Sequence, residues 1–351
     1  MRRVSRIAAA GIATAALAVS ATACGGTSSD AAGSKSDGKG KGVAIAYDVG
    51  GKGDQSFNDA ATAGMDKAAK DLKIGKKAVE PTDGESDADK AQRLTELAKQ
   101  GYNPVIGIGY AYAPAVKEVA AKFPKVSFGI VDDATIKADN VSDLVFNEEQ
   151  SSYLAGVAAA KASKKKSVGF IGGVNNILIR KFEAGFVQGV KDTDKSIKIQ
   201  RQMVTEKAED GGFSSPDKGK ETANGQIEGG ADVVYHAAGL SGQGVIEAAA
   251  AEKIWVIGVD SDQYKQKALA KYKKYILTSA TKDVAGAVYN LTKSVQDGNA
   301  KGGVVRADLK SGGVALADSN PEYQKMKDLK AAVKKAEEGI VSGKIKVKTT
   351  L

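Results

Sequence analysis

The sequence predicts an α/β protein of two lobes, each a parallel sheet covered by helices, and three observations lead there. Short apolar, β-rich runs alternate with longer stretches of helical periodicity, the pattern of strands buried on both faces. The alternation runs through one set of strands and then repeats in a second set of similar design. At 351 residues, 42% hydrophobic and 26% charged, the chain is long enough and ordinary enough for two globular domains.

The N-terminus carries an export signal. Arg2, Arg3 and Arg6 form a basic head, residues 7–19 are nearly all apolar or small, and Ala21, Thr22 and Ala23 lead into Cys24. Residues 1–23 read as a secretory signal peptide, whose apolar core of about a dozen residues is too short to span about 30 Å of hydrocarbon. Cys24 is the one cysteine in the sequence, so no intramolecular disulfide holds the exported fold. Its position after small residues resembles the lipobox of bacterial lipoproteins, although Ala21 stands where that family more often has Leu. The resemblance implies acylation of Cys24 and a lipid-anchored protein on the extracytoplasmic face of the cell membrane.

Loss of residues 1–23 removes three arginines and no acids, leaving 48 basic against 42 acidic residues, a net charge of +6. The surplus lies in Lys-rich stretches at 161–166, 271–274 and 330–348 that alternate with helix formers. They read as a solvated basic surface facing an anionic envelope, with no nucleic-acid partner. Residues 25–41 contain no large apolar side chain and, with Cys24, form a tether that cannot fold alone.

The first set of strands is expected at VAIAYDV from Val43, AVEPT from Ala78, PVIGIGY from Pro104, VSFGIVD from Val126 and DLVF from Asp143. Helices are expected at 55–72, at 87–100 behind a Ser86 cap, and at 114–122. The second set is VGFIGG from Val168, IKIQRQMV from Ile197, DVVYHAA from Asp232, WVIGVD from Trp255 and YILTSAT from Tyr275. Its helices are expected at 151–162, 178–191, 216–228 and 242–251. A further amphipathic helix at 284–296, strand-like GGVVRADL and GGVALAD, and a charged helix at 321–338 complete the chain.

In open α/β sheets ligands bind beyond the carboxyl ends of the strands. Two such sheets facing each other make that crevice a cleft between lobes. The strand ends carry Asp48, Tyr110, Asp132, Asn147, the 172–176 loop, Gly239, Asp260 and Lys282. Three carboxylates and one ammonium suit hydroxyl groups better than phosphate, which would meet desolvated like charges. Phe57 in QSFND and Phe213 in DGGFSSPDKG lie in polar loops, where an exposed ring is a platform for a flat ligand. Stacking on one ring gains roughly 1–3 kcal/mol, so two rings supply a large part of the ~8 kcal/mol of micromolar binding.

DVGGKGDQSFND from Asp48, VGFIGGVNNILIRKFEAGFVQGV from Val168, GADVVYHAAGLSGQGVIEAA from Gly230 and WVIGVDSDQ from Trp255 closely resemble the basic membrane protein family. These are substrate-binding lipoproteins of ABC transporters, of the purine-nucleoside-receptor type. The resemblance implies a type I periplasmic-binding-protein fold of two Rossmann-like lobes and a nucleoside ligand, purine favoured. It further implies ABC permease and ATPase partners and a monomer without cofactor or metal. By that likeness Phe57 and Phe213 sandwich the base, Asp132 bonds the base edge, and Asp260 and Lys282 hold the ribose with Gly239 nearby. Asp48 and Asn58 are the first-loop polar positions. Asp133, Tyr110 and the Asn175–Asn176 pair depart from the family pattern. The lobes expected are 42–147 with 282–308, and 148–281 with 309–351, joined by a three-strand hinge near residues 147–150, 279–283 and 308–312.

Other functions fit less well. GFIGGVNN and GLSGQG are glycine-rich turns, yet neither is GxGxxG followed by an acid about twenty residues on, and no P-loop lysine motif occurs. His236, the sole histidine, lies inside an apolar run as a core imidazole. Asp132 and Asp133 alone hold no metal tightly. An enzyme is therefore not expected. A surface lipoprotein that senses or adheres through a small molecule, without a dedicated transporter, would present the same cleft.

Overall fold

The computed structural model describes residues 40–351. The signal peptide, Cys24 and most of the tether lie outside the described residues. From its first described residues the chain forms β1 (Gly42–Ala46), α1 (Phe57–Leu72), β2 (Gly75–Val79), α2 (Asp87–Lys99), β3 (Val105–Gly107), α3 (Ala113–Lys122), β4 (Phe128–Val131) and β5 (Val141–Phe146). It continues through α4 (Glu148–Ala162), β6 (Ser167–Val174), α5 (Ile177–Thr193), β7 (Lys198–Thr205), α6 (Pro216–Glu228), β8 (Val233–Ala237), α7 (Gly242–Ala251), β9 (Trp255–Asp260) and β10 (Ile276–Lys282). The last elements are α8 (Val284–Gln296), β11 (Gly303–Ala307), β12 (Val314–Leu316), α9 (Pro321–Lys325) and α10 (Lys327–Val341).

Two six-stranded sheets result, ordered β11-β5-β4-β3-β1-β2 and β12-β10-β9-β8-β6-β7. The first is parallel throughout, whereas β12 joins β10 antiparallel at the edge of the second. β12 pairs with β10, to which the chain returns through α8 and β11. Strand β11 belongs to the first sheet and β12 to the second, so the chain passes between sheets after β5, after β10 and after β11.

Each sheet is packed on both faces. Leu94 and Leu97 of α2 and Val116 and Val119 of α3 cover Ala44, Val105, Phe128 and Ile130 of the first sheet. Val245 and Ile246 of α7 and Ala223 of α6 cover Val234 and Val256 of the second. Each fully buried Leu, Ile, Val or Phe among them contributes roughly 1.5–3 kcal/mol. On the opposite face of the second sheet, Phe170, Phe186 and Tyr235 meet with ring centroids 5.3 to 6.0 Å apart. Helices α4 and α5 touch backbone to backbone: a Cβ at Gly185 would lie 2.1 Å from the Glu149 carbonyl oxygen, and one at Gly189 2.1 Å from that of Tyr153. This contact fixes the start of α4, which follows the first crossing between sheets.

Besides small shifts at other element ends, β2, α4 and the C-terminal helix differ from the sequence expectation. β2 lies at Gly75–Val79 rather than from Ala78, because its register pairs Gly42 with Gly75 and leaves the exposed Lys76 in the ladder. Helix α4 starts at Glu148, where two acids occupy the first turn and complement the helix dipole. The C-terminal helix is two pieces, because Met326 leaves helical geometry at ψ 75°.

Candidate functional site

The facing strand ends line a pocket of about 510 Å³ of non-atom space, open solvent included. Asp48, Phe57, Asn58, Asp132, Phe213, Gly239, Asp260 and Lys282 all line it. Asp48 follows the β1 backbone by two residues, Asp132 comes directly after β4, Asp260 ends β9 and Lys282 ends β10.

Lys282 organises one end. Its ammonium donates to Asp132 Oδ2 at 2.6 Å and lies 3.7 Å from Asp260 Oδ1. The ammonium also lies 4.6 Å from the Phe57 ring centroid, 5.5 Å from that of Phe182 and 5.6 Å from that of Phe146. Burial alone would lower the Lys282 pKa, but the carboxylates of Asp132, Asp260 and Glu148 outweigh it and hold the pKa above the ordinary range. The lysine therefore stays charged. Ser56 Oγ donates to Asp260 Oδ2 at 2.7 Å, while Asp132 Oδ1 is buried with no protein donor. That oxygen is a free acceptor at a desolvated position, where a missing hydrogen bond costs about 1–3 kcal/mol.

Asp132 and Asp260 have positive backbone φ, 68° and 60°, a conformation that costs a non-glycine residue roughly 1–3 kcal/mol and clusters at functional sites. Asp260 has its pKa raised by burial, against the pull of Lys282 and Ser56. Asp48 is raised to about 7 by burial, with Asp132 adding to the effect and the Val49 amide opposing it. The Asp48 amide donates to Asn58 Oδ1 at 3.0 Å, tying the first strand end to α1.

Asp54, which sequence reasoning passed over, builds the start of α1. Ser56 at the N-cap makes no side-chain cap bond. Asp54 instead accepts from the amides of Ser56, Asn58 and Asp59 at 2.8 to 3.1 Å. Burial raises its pKa to about 6 against those bonds. Phe182 and Glu148 were also missed. Phe182 reads as a core position of an amphipathic helix, and Glu148 as a first-turn acid. Glu148 is 1% exposed, 3.2 Å from Lys181, and raised to about 7 mainly by burial.

Phe57 departs from the exposed ring expected of it. It is 9% exposed, tucked into the first turn of α1 beneath the Lys282 ammonium. Phe213 is half-buried, and a Cβ at Gly173 would come within 2.3 Å of its ring. Gly239, at φ 53°, lies beside the Phe213 carbonyl. Tyr110 also lines the cavity, whereas Asn175 bonds Glu206 outside it and Asn176 caps α5. Asp133 is held by Thr135 and does not line the cavity.

The first-lobe loop at 53–56 reaches the second sheet. Gln243 donates to Gly53 O at 2.8 Å, Ser261 to Ser56 O at 2.8 Å and Gln263 to Gln55 O at 3.2 Å. His236 is wholly buried in β8, away from the cavity, with its pKa pushed down to about 4 by burial. Among the described residues no three His, Cys, Asp or Glu side chains are grouped to hold a metal ion, and no helix is long and apolar enough to cross a membrane. An ammonium between two carboxylates, with aromatic rings beside it, offers hydrogen-bond donors and acceptors next to an apolar surface.

Residues 41–350 match the family described as Bmp, ABC transporter substrate-binding protein PnrA-like. The chain is 37% identical over 321 residues to the ABC transporter nucleoside-binding protein BmpA of Lactococcus lactis subsp. cremoris (strain MG1363), covering 87% of this chain and 88% of the relative. It is 33% identical over 294 residues to an uncharacterized lipoprotein of Pyrococcus abyssi (strain GE5 / Orsay), covering 79% of this chain and 69% of the relative. A crystal structure of ABC transporter system solute-binding proteins from Aeropyrum pernix K1 superimposes with a TM-score of 0.76 at 27% identity, over 88% of this chain and 93% of the other.

Proposed function

Since the chain belongs to the Bmp family of PnrA-like ABC transporter substrate-binding proteins, with a type I periplasmic-binding-protein fold, we propose that it is a lipid-anchored receptor for nucleosides, purine nucleosides above all. The observation that carries this reading is the pairing of Lys282 with Asp132 and Asp260 in one cavity with Phe57 and Phe213. Asp260 and Asp132 accept from the ribose hydroxyls while Lys282 donates back. Asp132 thus joins the ribose-binding group rather than the base edge, which falls to Asp48 and Asn58. Phe213 and Phe57 flank the base, with Phe182 closing the inner wall. The nucleoside-binding name of the Lactococcus relative agrees with this assignment.

The lobes are 42–147 with 282–308, and 148–281 with 309–351. They close over the ligand by bending at the three chain crossings, and a monomer delivers it to an ABC permease and its ATPase without covalent chemistry. Acylation of Cys24 holds the receptor at the outer face of the membrane. Calorimetric titration with adenosine, guanosine, inosine, uridine and ribose tests the ligand. Purine nucleosides are expected to bind at micromolar concentration or below, about 8 kcal/mol or more, and ribose far more weakly. Ribose binding as tight as that of adenosine would remove the base from the account. Mass spectrometry of the processed protein, with Cys24→Ala as control, tests the anchor.

A further inference from the structure

A second cavity adjoins the first. It holds about 1,600 Å³ of non-atom space, opens to solvent, and shares Asp48, Val49, Tyr110 and Phe213 with the inner cavity. Those four residues border both cavities. The inner end is lined by buried charged side chains, Lys282 at 3% and Asp132 at 4% exposure. The outer cavity is built from both lobes. Pro81, Thr82 and Glu85 come from the segment after β2, Val174 ends β6, and Asn175 and Glu206 directly follow β6 and β7.

We propose that the cleft accepts purine nucleosides carrying an exocyclic substituent on the base, with that substituent seated in the outer cavity. The proposal rests on the nucleoside reading above. A ribose clasped by Asp132, Asp260 and Lys282 directs the far edge of the base toward Asp48 and Tyr110, which border both cavities. The outer wall is amphipathic. The Lys90 and Glu85 side chains are 11% and 4% exposed and face each other at 4.0 Å, while Asn175 donates to Glu206 at 2.7 Å. Charges already paired within the protein do not demand a charged guest, so a neutral substituent with an apolar body fits. It touches both lobes and leaves the ribose contacts unchanged.

Calorimetric titration with adenosine, N6-benzyladenosine and 2′-O-methyladenosine tests the inference. N6-benzyladenosine is expected to bind within about tenfold of adenosine, ~1.4 kcal/mol. 2′-O-methyladenosine is expected to bind much more weakly, because the methyl meets the buried charged end. Ala111 lines the outer cavity alone, so Ala111→Trp is expected to weaken N6-benzyladenosine by at least tenfold while adenosine binds as before. Retained adenosine binding with more than hundredfold loss for N6-benzyladenosine in the parent protein would overturn the inference. So would equal weakening of both ligands by Ala111→Trp, or undiminished binding of 2′-O-methyladenosine. Failure of adenosine itself to bind would instead bring down the nucleoside reading, and the inference with it.

Discussion

Asp132 and Asp260 are structural counterparts: each stands at the carboxyl end of the strand in the same place of its own sheet, each in left-handed backbone conformation, and Lys282 lies between them. Their strain is sustained by surroundings that fix them twice over. The Asp132 amide donates to Leu144 O at 3.0 Å, and the Asp260 carboxylate accepts from Ser56. The lobes thus present two acceptors to a common donor.

Replacing the donor tests this arrangement. Lys282→Met leaves two buried carboxylates without their counter-charge, and the loss of one partner of a buried pair typically costs about 3–5 kcal/mol. Urea unfolding is expected to show a fall of that order, and calorimetry at least a tenfold loss of nucleoside affinity. Adding Asp132→Asn to Lys282→Met is expected to restore part of the stability and none of the affinity. Restored binding in the double variant would contradict the role given to Lys282.

Aromatic contact is tested through Phe213 and its neighbour. Phe213→Ala is expected to weaken nucleoside binding at least tenfold with little change in melting temperature, because the ring is half-buried. Gly173→Ala pushes a methyl into that ring and is expected to reproduce part of the loss without touching the ligand. Affinities unchanged in both variants would exclude Phe213 from the site.

The buried acids Asp48, Asp54 and Glu148 favour low pH. Burial raises Asp48 and Glu148 to about 7 and Asp54 to about 6. Between the ordinary carboxylate pKa near 4 and these values, the folded protein keeps protons that the unfolded chain has shed. Their contribution to stability is therefore greatest at the acid end and is lost as pH rises to about 7. Asp48→Asn is expected to flatten this part of the profile and to stabilise the ligand-free protein at pH 8 by about 1–2 kcal/mol. Thermal melts between pH 5 and 8 provide the measurement, and an unaltered profile would remove Asp48 as a source.

His236 works in the opposite direction. Its folded pKa of about 4 lies below the unfolded value, so stability is lost as pH falls from about 6.5 toward 4. His236→Gln is expected to remove that loss, to lower stability at pH 7 by about 1–3 kcal/mol through repacking against Gly242, and to leave ligand affinity within about twofold. A large affinity change would place His236 in the binding machinery.

Helices α6, α7 and α8 were legible to their ends, because Ser215–Pro216, Gly242 and Asp283 mark their starts in the sequence itself. The strand-end rule pointed to Asp48, Asp132, Asp260 and Lys282, since alternation of strands and helices fixes which end of a sheet faces the ligand. β2 was placed too late because its lysines resemble a loop, and only pairing with β1 recruits them. Phe182 was invisible for a related reason. Its spacing is that of a core residue, and its contact with Lys282 depends on how α5 lies across the second sheet. The break at Met326 has no glycine or proline to announce it.

The matching order of the two sheets has a further consequence. Phe146 and Lys282 each immediately precede the N-cap of a following helix, Asn147 and Asp283 respectively, and they meet with the ammonium 5.6 Å from the ring. Two sheets of like strand order give a ligand no inherent direction, so polarity of recognition comes from unlike residues at like positions. Exchanging such a pair, one sheet for the other, would turn the cargo around without altering the frame.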